Sequence, residues 1–325
     1  MVLVTGVLVL SEHDVRSLLD MQSCIDAMSD VLASLARGEL HQPLRSMIKP
    51  PGDELMGLMP AWRGGDEPVF SLKEIVVAPG NSARGLDPHQ GAVLLHDGVT
   101  GKLTAILNAS PITEIRTAAV SAVATRALAR PGAAVVTILG SGVQGRSHVA
   151  AMRAVLPDAE LRIWSRTPEH ATGLALQSHA TACGSVAEAL DGADVVCTTT
   201  STREPIVERG WLAPGAHVNA VGSSVPWARE LDAETVVAAS LFVDRRESTQ
   251  NESGDYLAAV EERGIGPEHI QAELGEVLAG LHAGRTSDDE LTVFKSLGLA
   301  VEDLAAAELC VARAPERGIG VEVDF

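Results

Sequence analysis

Residues 135–145 read VVTILGSGVQG, the stretch of the chain that says most about the fold. A β-branched apolar run ends in a turn with three glycines, and a helix-like segment follows directly. Gly140 suits a tight turn, Gly142 allows a backbone to approach a pyrophosphate, and Gly145 allows a helix to pack closely on a strand. The N-terminus of such a helix also presents backbone N–H groups to an anion. The stretch therefore predicts the strand, turn and helix of a dinucleotide-binding unit.

A second apolar run, Leu161–Trp164, follows and ends in Ser165, Arg166 and Thr167. An NAD-binding unit carries an acidic residue near this point for the ribose 2′-hydroxyl, and a carboxylate there would repel a 2′-phosphate. An arginine between two hydroxyls would bind that phosphate instead. The pattern favours NADP(H) over NAD(H), with a surface arginine in an ordinary loop as the alternative.

The composition predicts a large aliphatic α/β protein. The chain has 325 residues, of which 46% are hydrophobic and 3% aromatic, and this length favours two domains. Its formal net charge of −18 disfavours binding to nucleic acid or to an anionic membrane surface. A few locally placed basic residues would therefore have to bind any anionic ligand.

The cysteines predict a reducing compartment. They are scattered without CxxC spacing, which indicates buried thiols and neither a disulfide framework nor a metal site: Cys24, Cys183, Cys197 and Cys310. The apolar start, Val2–Leu10, has no basic residues and is too short to span a bilayer, so we expect a cytoplasmic protein.

The sequence also has no HExxH motif, no Gly-x-Ser-x-Gly elbow and no GK[ST] after the glycine turn, which disfavours metallohydrolase, serine hydrolase and phosphoryl-transfer activities.

Helix and strand patterns change twice along the chain. Helical spacing covers Ser11–Gly38, and another helix is expected from Thr113 to Ala129. Antiparallel strands are expected between them, at Leu44–Ile48, Leu55–Trp62, Val69–Ala78, Ala92–His96 and Lys102–Leu107. Strands then alternate with helices, at Ala134–Leu139, Leu161–Trp164, Asp194–Thr199, His217–Val221 and Leu241–Val243. Leu291–Gly298 has no repeat pattern and leads into a last helix, Val301–Ala314.

The change of pattern predicts two domains. We expect residues 116–299 to form an NAD(P)-binding, Rossmann-type doubly wound parallel sheet of the α/β class. Residues 1–115 together with 300–325 are expected to form an α+β substrate-binding and dimerisation domain, to which the C-terminal helix returns.

Three cations outside the expected parallel sheet are candidates for chemistry. Arg116 would lie in the first turn of a helix capped by Thr113, where the helix dipole disfavours a cation unless it faces an anion. Lys73 and Arg45 interrupt apolar strand patterns. Together they could bind a carboxylate and polarise or protonate a nearby carbonyl or imine. Ordinary surface positions, or an ion pair of Arg116 with Glu114, remain the alternative, and His89 is either a proton donor or a surface turn residue.

The chain resembles the ornithine cyclodeaminase/μ-crystallin family of NAD(P)-dependent enzymes. The resemblance runs in order from residue 42 to 303, and several motifs look closer to the ketimine reductase branch than to the cyclodeaminases. The motifs are QPLRS, GLMPAW, SLKE, HQGAVLL, ITEIRTAAVSAVAT, ILGSGVQGRSH, RIWSRT, GAHVNAVGSSVP, RELDAE, ESGD, AELGEVLAG and TVFKSLGLAVED.

The resemblance implies a site and a homodimer. It implies that Arg45, Lys73 and Arg116 bind the substrate carboxylate and the group beside the reacting carbon, and that Leu297 lies at the substrate and nicotinamide. It implies catalytic roles for Lys73, Arg116 and Ser224. The cofactor contacts that it implies are Gln90, Arg116, Thr117, Gly140, Ser141, Gly142, Val143, Gln144, Ser165, Arg166, Thr167, Thr200, Asn219, Val221 and Ser296.

One position departs from the cyclodeaminases. Those enzymes and the family's alanine dehydrogenases carry an Asp just after the VNAVG strand, whereas this chain has Ser224 there, as the μ-crystallin-like reductases do. A serine cannot act as a carboxylate base towards an ammonium group. The departure disfavours ornithine cyclisation and suits a substrate that arrives as an imine.

We therefore expect NADPH-dependent reduction of a small cyclic 2-imino acid, such as piperideine- or pyrroline-2-carboxylate, to the cyclic amino acid. NADH is the other candidate cofactor. Ornithine cyclodeaminase or alanine-type dehydrogenase activity is the enzymatic alternative. An NADPH-dependent binding protein with little turnover is the alternative from another class. The expected partners are a small carboxylate-bearing imine or amino acid and a second copy of the chain.

Overall fold

The computed structural model describes residues 6–86 and 89–325, and contacts within the chain divide it into two units. Unit 1 comprises Met1–Arg116 and Leu299–Phe325, and unit 2 comprises Thr117–Gly298. The boundaries expected from the sequence lie one residue from these positions. The expectation for Val2–Leu10 falls in part on Val2–Thr5, which lie outside the described residues.

The helices and strands follow the chain in this order. Unit 1 begins with β1 (Val7–Leu10), α1 (Glu12–Leu18), α2 (Met21–Ala36), β2 (Leu40–His41), β3 (Ser46–Ile48), β4 (Leu55–Arg63), β5 (Val69–Val77), β6 (His89–Asp97), β7 (Leu103–Asn108) and α3 (Ala109–Leu128), which continues into unit 2. Unit 2 then contains β8 (Val135–Leu139), α4 (Val143–Val155), β9 (Glu160–Trp164), α5 (Pro168–Ser178), β10 (Thr181–Ala182), α6 (Val186–Leu190), β11 (Val195–Thr198), β12 (His217–Ala220), α7 (Ala233–Ala238), β13 (Ser240–Val243), α8 (Arg246–Glu252), α9 (Gly254–Arg263), β14 (Ile270–Glu273), α10 (Leu274–Leu278) and β15 (Thr292–Lys295). The chain returns to unit 1 with α11 (Ala300–Arg317) and β16 (Val321–Val323).

Unit 1 is built on a mixed sheet. Its strand order is β16-β1-β7-β6-β5-β4-β2, with β3 paired on β4. β1 and β7 run parallel, and the other neighbours are antiparallel. α11 packs against β4, β5 and β6 on one face. The α+β module expected from the sequence is confirmed, whereas β1, β2 and β16 are too short for periodicity to reveal them.

Unit 2 is a parallel sheet with the strand order β10-β9-β8-β11-β12-β15-β13-β14. From β8 the chain builds first towards β10 and then, from β11, in the opposite direction. In a sheet of this kind, ligands bind at the carboxyl ends of the strands where the order reverses. Gly140 follows β8 and Thr199 follows β11, so both lie at that point. The predicted Rossmann-type doubly wound sheet is confirmed.

The sequence assigns no strand to Leu291–Gly298, but the structure forms one there. The segment contains β15, which pairs with β12 on one side and with β13 on the other. The strand has four residues and is buried on both faces, so it shows no alternation of polar and apolar side chains. β14, an edge strand next to β13, also lacked a clear pattern.

The predicted start of α3 is wrong. The helix begins at Ala109, and the Asn108 side chain accepts a hydrogen bond from the N–H of Ser110 at 3.0 Å. Asn108 is therefore the capping residue, in place of Thr113. Pro111 lies in the first turn, where a missing N–H is tolerated. Arg116 consequently lies in the helix interior, beyond the first turn where the dipole is strongest.

The burial of the cysteines agrees with the expectation from the sequence. All four cysteines are buried and carry free thiols. Among residues 6–86 and 89–325, every helix is too short or too polar to cross a membrane.

Candidate active site

A cluster of four buried charges lies between β5, α3 and α11 in unit 1. Lys73 Nζ is 2.7 Å from Asp303 Oδ2, and Arg116 Nε donates to Asp303 Oδ1 at 3.1 Å. Arg116 Nη1 also donates to Glu302 Oε2 at 2.7 Å. None of the four residues is more than 4% exposed. The structure thus brings Lys73 and Arg116 together, as the resemblance implies, with Asp303 bridging them.

Local structure explains how the four side chains meet. Lys73 lies at the centre of β5, paired in register with Met59 on β4 and Val93 on β6, on the face covered by α11. Glu302 and Asp303 occupy the first turn of α11, where the positive end of the helix dipole favours carboxylates. Two cations and two anions balance, which is the condition under which charges can be buried.

The electrostatics of the cluster make Lys73 a candidate acid. Burial lowers the pKa of Lys73 to about 8, while the nearby Asp303 carboxylate raises it and the Arg116 guanidinium lowers it. An amine with a pKa near neutrality can hold a proton and also release it. A planar guanidinium is suited to carboxylates, and Arg116 donates to two of them, Asp303 and Glu302.

The other residues predicted in unit 1 are not members of this four-residue cluster. Arg45 is half-buried in the segment just before β3. Gln90 is exposed on β6, and its strand partner Val76 lies on the face of the sheet opposite Lys73. His89 is exposed at the start of β6, and its carbonyl accepts a hydrogen bond from the Ser110 hydroxyl at 2.6 Å. Gln90 therefore lies on the face opposite the charge cluster, whereas His89 pairs with Val77 and lies on the same face as Lys73, at the end of the strand.

The glycine turn of unit 2 has the geometry that its sequence predicts. Gly140 adopts a φ of +121°, and a Cβ there would lie 2.6 Å from Thr199 Oγ1. A Cβ on Gly145 would collide with the carbonyl oxygen of Gly140. A Cβ on Gly142 would meet open space, and Gly142 caps α4 without a side-chain hydrogen bond. The first turn of α4 can therefore present its N–H groups to an anion.

The residues around this turn fit a nicotinamide dinucleotide. Ser141 Oγ donates to Ser165 Oγ at 2.9 Å, and Arg166 is exposed beside them. Thr167 caps α5 without using its side chain. Within the described part of the chain, the buried Gln144 Oε1 has no hydrogen-bond partner. A dinucleotide requires hydrogen-bond donors and acceptors where the strand order reverses. This turn supplies them with an uncapped helix, hydroxyl groups, an exposed arginine and an unpaired buried oxygen.

A buried carboxylate missed by the sequence analysis fixes two loops at this edge. Glu230 accepts hydrogen bonds from Thr198 Oγ1 at 2.6 Å, and from Thr200 N, Thr200 Oγ1 and Gly222 N at 2.7 Å each. It thereby ties the end of β11 to the loop after β12, which carries the half-buried Ser224. The motif RELDAE contains this residue, but a charged residue in a loop motif does not reveal that it is buried.

Asp244 fixes the segment after β15 in the same way. Its Oδ2 accepts from Leu297 N at 2.5 Å and from Gly298 N at 2.8 Å. Ser296 and Leu297 are buried there, and Ser296 N donates to the carbonyl of Ala220 at 3.0 Å. Val221 is buried just beyond β12. These predicted cofactor and substrate contacts lie at the carboxyl edge of the sheet.

Two predicted cofactor contacts lie in the interior instead. Asn219 is fully buried within β12. Its amide Nδ2 donates to Thr125 Oγ1 at 2.9 Å, and its Oδ1 lies 3.2 Å from His217 Nε2. The Asn219 side chain is therefore used inside the sheet, and a cofactor contact by Asn219 stays a prediction. Thr117 is buried on α3, and its carbonyl accepts from Ser121.

Comparisons with known proteins agree with this fold. The chain is 40% identical over 307 residues to the ketimine reductase mu-crystallin of Mus musculus, with 92% of this chain and 95% of the relative covered. The structure is similar to that of Thermococcus litoralis Delta(1)-pyrroline-2-carboxylate reductase in complex with NADH and L-proline, with a TM-score of 0.92, 34% identity, and 97% and 100% of the two chains covered. It is also similar to an archaeal alanine dehydrogenase dimer with bound NAD, with a TM-score of 0.93, 30% identity, and 98% and 99% covered.

The family model describes nearly the whole chain, since it matches residues 6–318. The match includes the charge cluster of unit 1 and the glycine turn of unit 2. The chain therefore belongs to the ornithine cyclodeaminase/mu-crystallin family.

Proposed function

We propose that this chain reduces the carbon–nitrogen double bond of a small cyclic 2-imino acid, such as piperideine- or pyrroline-2-carboxylate, with NADPH as the preferred cofactor. The observation that carries the proposal is the buried cluster that contains Lys73 and Arg116. It combines a guanidinium, a group that binds carboxylates, with an amine that can release a proton. The similarity to a ketimine reductase and to a pyrroline-2-carboxylate reductase supports this reaction.

Each unit supplies one part of the chemistry. In unit 1, Arg116 and Arg45 bind the substrate carboxylate, because a guanidinium matches the two carboxylate oxygens. Lys73 holds the proton that the substrate nitrogen needs. In unit 2, the N-terminus of α4 binds the pyrophosphate of the cofactor, and Ser165, Arg166 and Thr167 bind its 2′-phosphate. When bound, the nicotinamide supplies a hydride to the imine carbon.

Ser224 supports imine reduction over deamination. A carboxylate at this position would stabilise an ammonium group and accept its proton, whereas the serine hydroxyl can only donate or accept a neutral hydrogen bond. An imine substrate needs no such base, since its double bond is already formed.

The proposal is tested by NADPH oxidation with purified protein. Cyclic 2-imino acids should be reduced to the cyclic amino acids, identified by chromatography, at higher kcat/KM than 2-oxo acids supplied with ammonia or amines. If the protein oxidises NADPH with none of these imines, the proposed reductase activity is refuted. Calorimetric binding of the same compounds without turnover would instead support an NADPH-dependent binding protein.

An amino-acid dehydrogenase or cyclodeaminase is the second candidate, which the similarity to an archaeal alanine dehydrogenase favours. The variant Ser224→Asp tests it. We expect the natural chain to make no proline from ornithine and the variant to gain oxidative activity on amino acids. Proline formation by the natural chain would show that Ser224 does not exclude cyclodeamination.

We also propose that unit 1 forms a homodimer through the face of its sheet opposite α11, called the outer face here. Most of that face is apolar, although Glu74, Gln90 and His96 also lie on it. Its apolar side chains are partly or largely exposed: Met56, Leu58, Pro60, Trp62, Phe70, Leu72, Val76 and Leu94. Phe70 is 49% exposed, and its ring centroid is 6.5 Å from that of Trp62. Apolar patches of this kind mark protein interfaces, and the similarity to an alanine dehydrogenase dimer supports a second copy as the occupant.

We place the enzyme in the cytoplasm. The four buried free thiols fit a reducing compartment, where they persist without forming disulfides.

A further inference from the structure

The cluster in unit 1 contains two adjacent carboxylates with different partners. Asp303 lies 2.7 Å from Lys73 Nζ through one oxygen and accepts from Arg116 through the other. Glu302 accepts from Arg116 at 2.7 Å. Both carboxylates are almost completely buried, at 1% and 0% exposure of their side chains. They are therefore matched in burial, and Asp303 forms an ion pair with the Lys73 amine at 2.7 Å.

We propose that Asp303 is a positioning residue of the reduction, which holds the Lys73 ammonium in place and charged so that Lys73 can give its proton to the substrate nitrogen. This inference rests on the proposed function. The reduction consumes one hydride, which goes to the imine carbon, and one proton, which goes to the nitrogen. An N–H bond of Lys73 breaks, an N–H bond of the substrate forms, and the neutral Lys73 amine recovers a proton from solvent.

The surroundings of Lys73 leave this role to Asp303. α11 contributes Asp303 and Glu302, and α3 contributes the cation Arg116. The strand neighbours on β4 and β6, Met59 and Val93, carry no charge.

The same surroundings predict what the Asp303 carboxylate does to Lys73. Burial lowers the pKa of Lys73 to about 8, and Asp303 is the largest influence that raises it. Without that carboxylate, burial and the Arg116 cation would be opposed mainly by Glu302, a smaller influence that raises the pKa, so Lys73 would lose its proton at a lower pH.

The experiment titrates Lys73 directly, because the chain has only four lysines: Lys49, Lys73, Lys102 and Lys295. The full-length protein is labelled with [13C]lysine, the Lys73 signal is assigned as the one missing from Lys73→Arg, and its chemical shift is followed against pH. We expect a midpoint near 8 in the natural chain and a midpoint lower by about 1 pH unit or more in Asp303→Asn. Glu302→Gln is the matched control and should shift the midpoint less.

The result does not depend on turnover, so it separates this inference from the proposed function. An unchanged Lys73 midpoint in a folded Asp303→Asn would overturn the role of Asp303, even if the chain reduces imines. An inactive natural chain with the expected shift would refute the reductase and leave the Lys73–Asp303 coupling established.

Activity supplies the second measurement. The basic limb of the kcat/KM profile should move to lower pH in Asp303→Asn by the same interval as the Lys73 midpoint. The ionisation of the substrate cannot cause this shift, since it is the same for every variant. If Asp303→Asn does not fold, the kcat/KM profile of Lys73→Arg is measured against pH instead. A basic limb that stays at the pH of the natural chain would show that Lys73 does not supply the proton.

Discussion

Arg166 follows β9 with its side chain exposed, next to Ser165, whose hydroxyl accepts a hydrogen bond from Ser141 at 2.9 Å. In Arg166→Asp, a carboxylate would replace the guanidinium and repel a 2′-phosphate. We expect the ratio of kcat/KM for NADPH to that for NADH to fall by about tenfold or more, since a hydrogen-bonded charge is worth about 1.5–3 kcal/mol.

The control for this change is Arg263→Asp, which alters the net charge equally at an exposed ion pair with Glu234. Its NADPH preference should match that of the natural chain. If Arg166→Asp keeps the same preference, Arg166 does not bind the 2′-phosphate.

The sequence predicted which single residues carry unusual chemistry better than it predicted their partners. Lys73 and Arg116 stand out because charges rarely occur inside apolar patterns. Their partners Glu302 and Asp303 are separated from Arg116 by 186 and 187 positions, so spacing cannot reveal the pairing. Asn219 shows the converse limit, because its amide stands in a strand motif and forms hydrogen bonds inside the sheet, which the sequence does not reveal.

Glu230 is the point where two elements of unit 2 are joined. Its two oxygens accept the donors of Thr198 and Thr200 after β11, and of Gly222 after β12. In Glu230→Gln an N–H₂ group replaces one oxygen, so at least one backbone N–H is left facing a donor. We expect the free energy of unfolding to fall by about 1–3 kcal/mol. NADPH affinity, measured by fluorescence titration, should also fall, because Thr200 and the Gly222 loop are held less firmly.

Glu204→Gln is the matched control, since Glu204 is exposed in the connection that follows β11. It should change stability by no more than about 0.5 kcal/mol. If Glu230→Gln has the same stability and the same NADPH affinity as the natural chain, the two loops do not depend on this carboxylate.

Whole elements were predictable where their pattern is long. The glycine turn between β8 and α4 and the long strands β4 and β5 lie where the sequence places them, whereas β6 begins at His89, three residues before its expected start. β15 was missed because a four-residue strand buried on both faces has no alternation. The start of α3 was misplaced because Asn108 caps the helix before Pro111, while Thr113 offers the same kind of capping side chain further on.

At the scale of the molecule, the sequence predicts the order of the two units but not what covers their surfaces. Alternation in β5 places Lys73 towards α11 and Phe70 and Val76 on the opposite face. Phe70 and Val76 remain 49% and 38% exposed. An aromatic and β-branched sheet face is costly to leave in water, which is the physical argument for an additional partner.

Phe70→Lys tests whether that partner is a second copy of the chain. The natural protein should have twice the mass of the 33.9 kDa chain by light scattering. The variant should be a monomer, since it places a charge in the centre of an apolar interface where it would have to be desolvated. Val99→Lys, in the exposed hairpin turn after β6, is the control and should remain a dimer. A monomeric natural chain would exclude the homodimer, and a dimeric Phe70→Lys would move the interface away from the outer face.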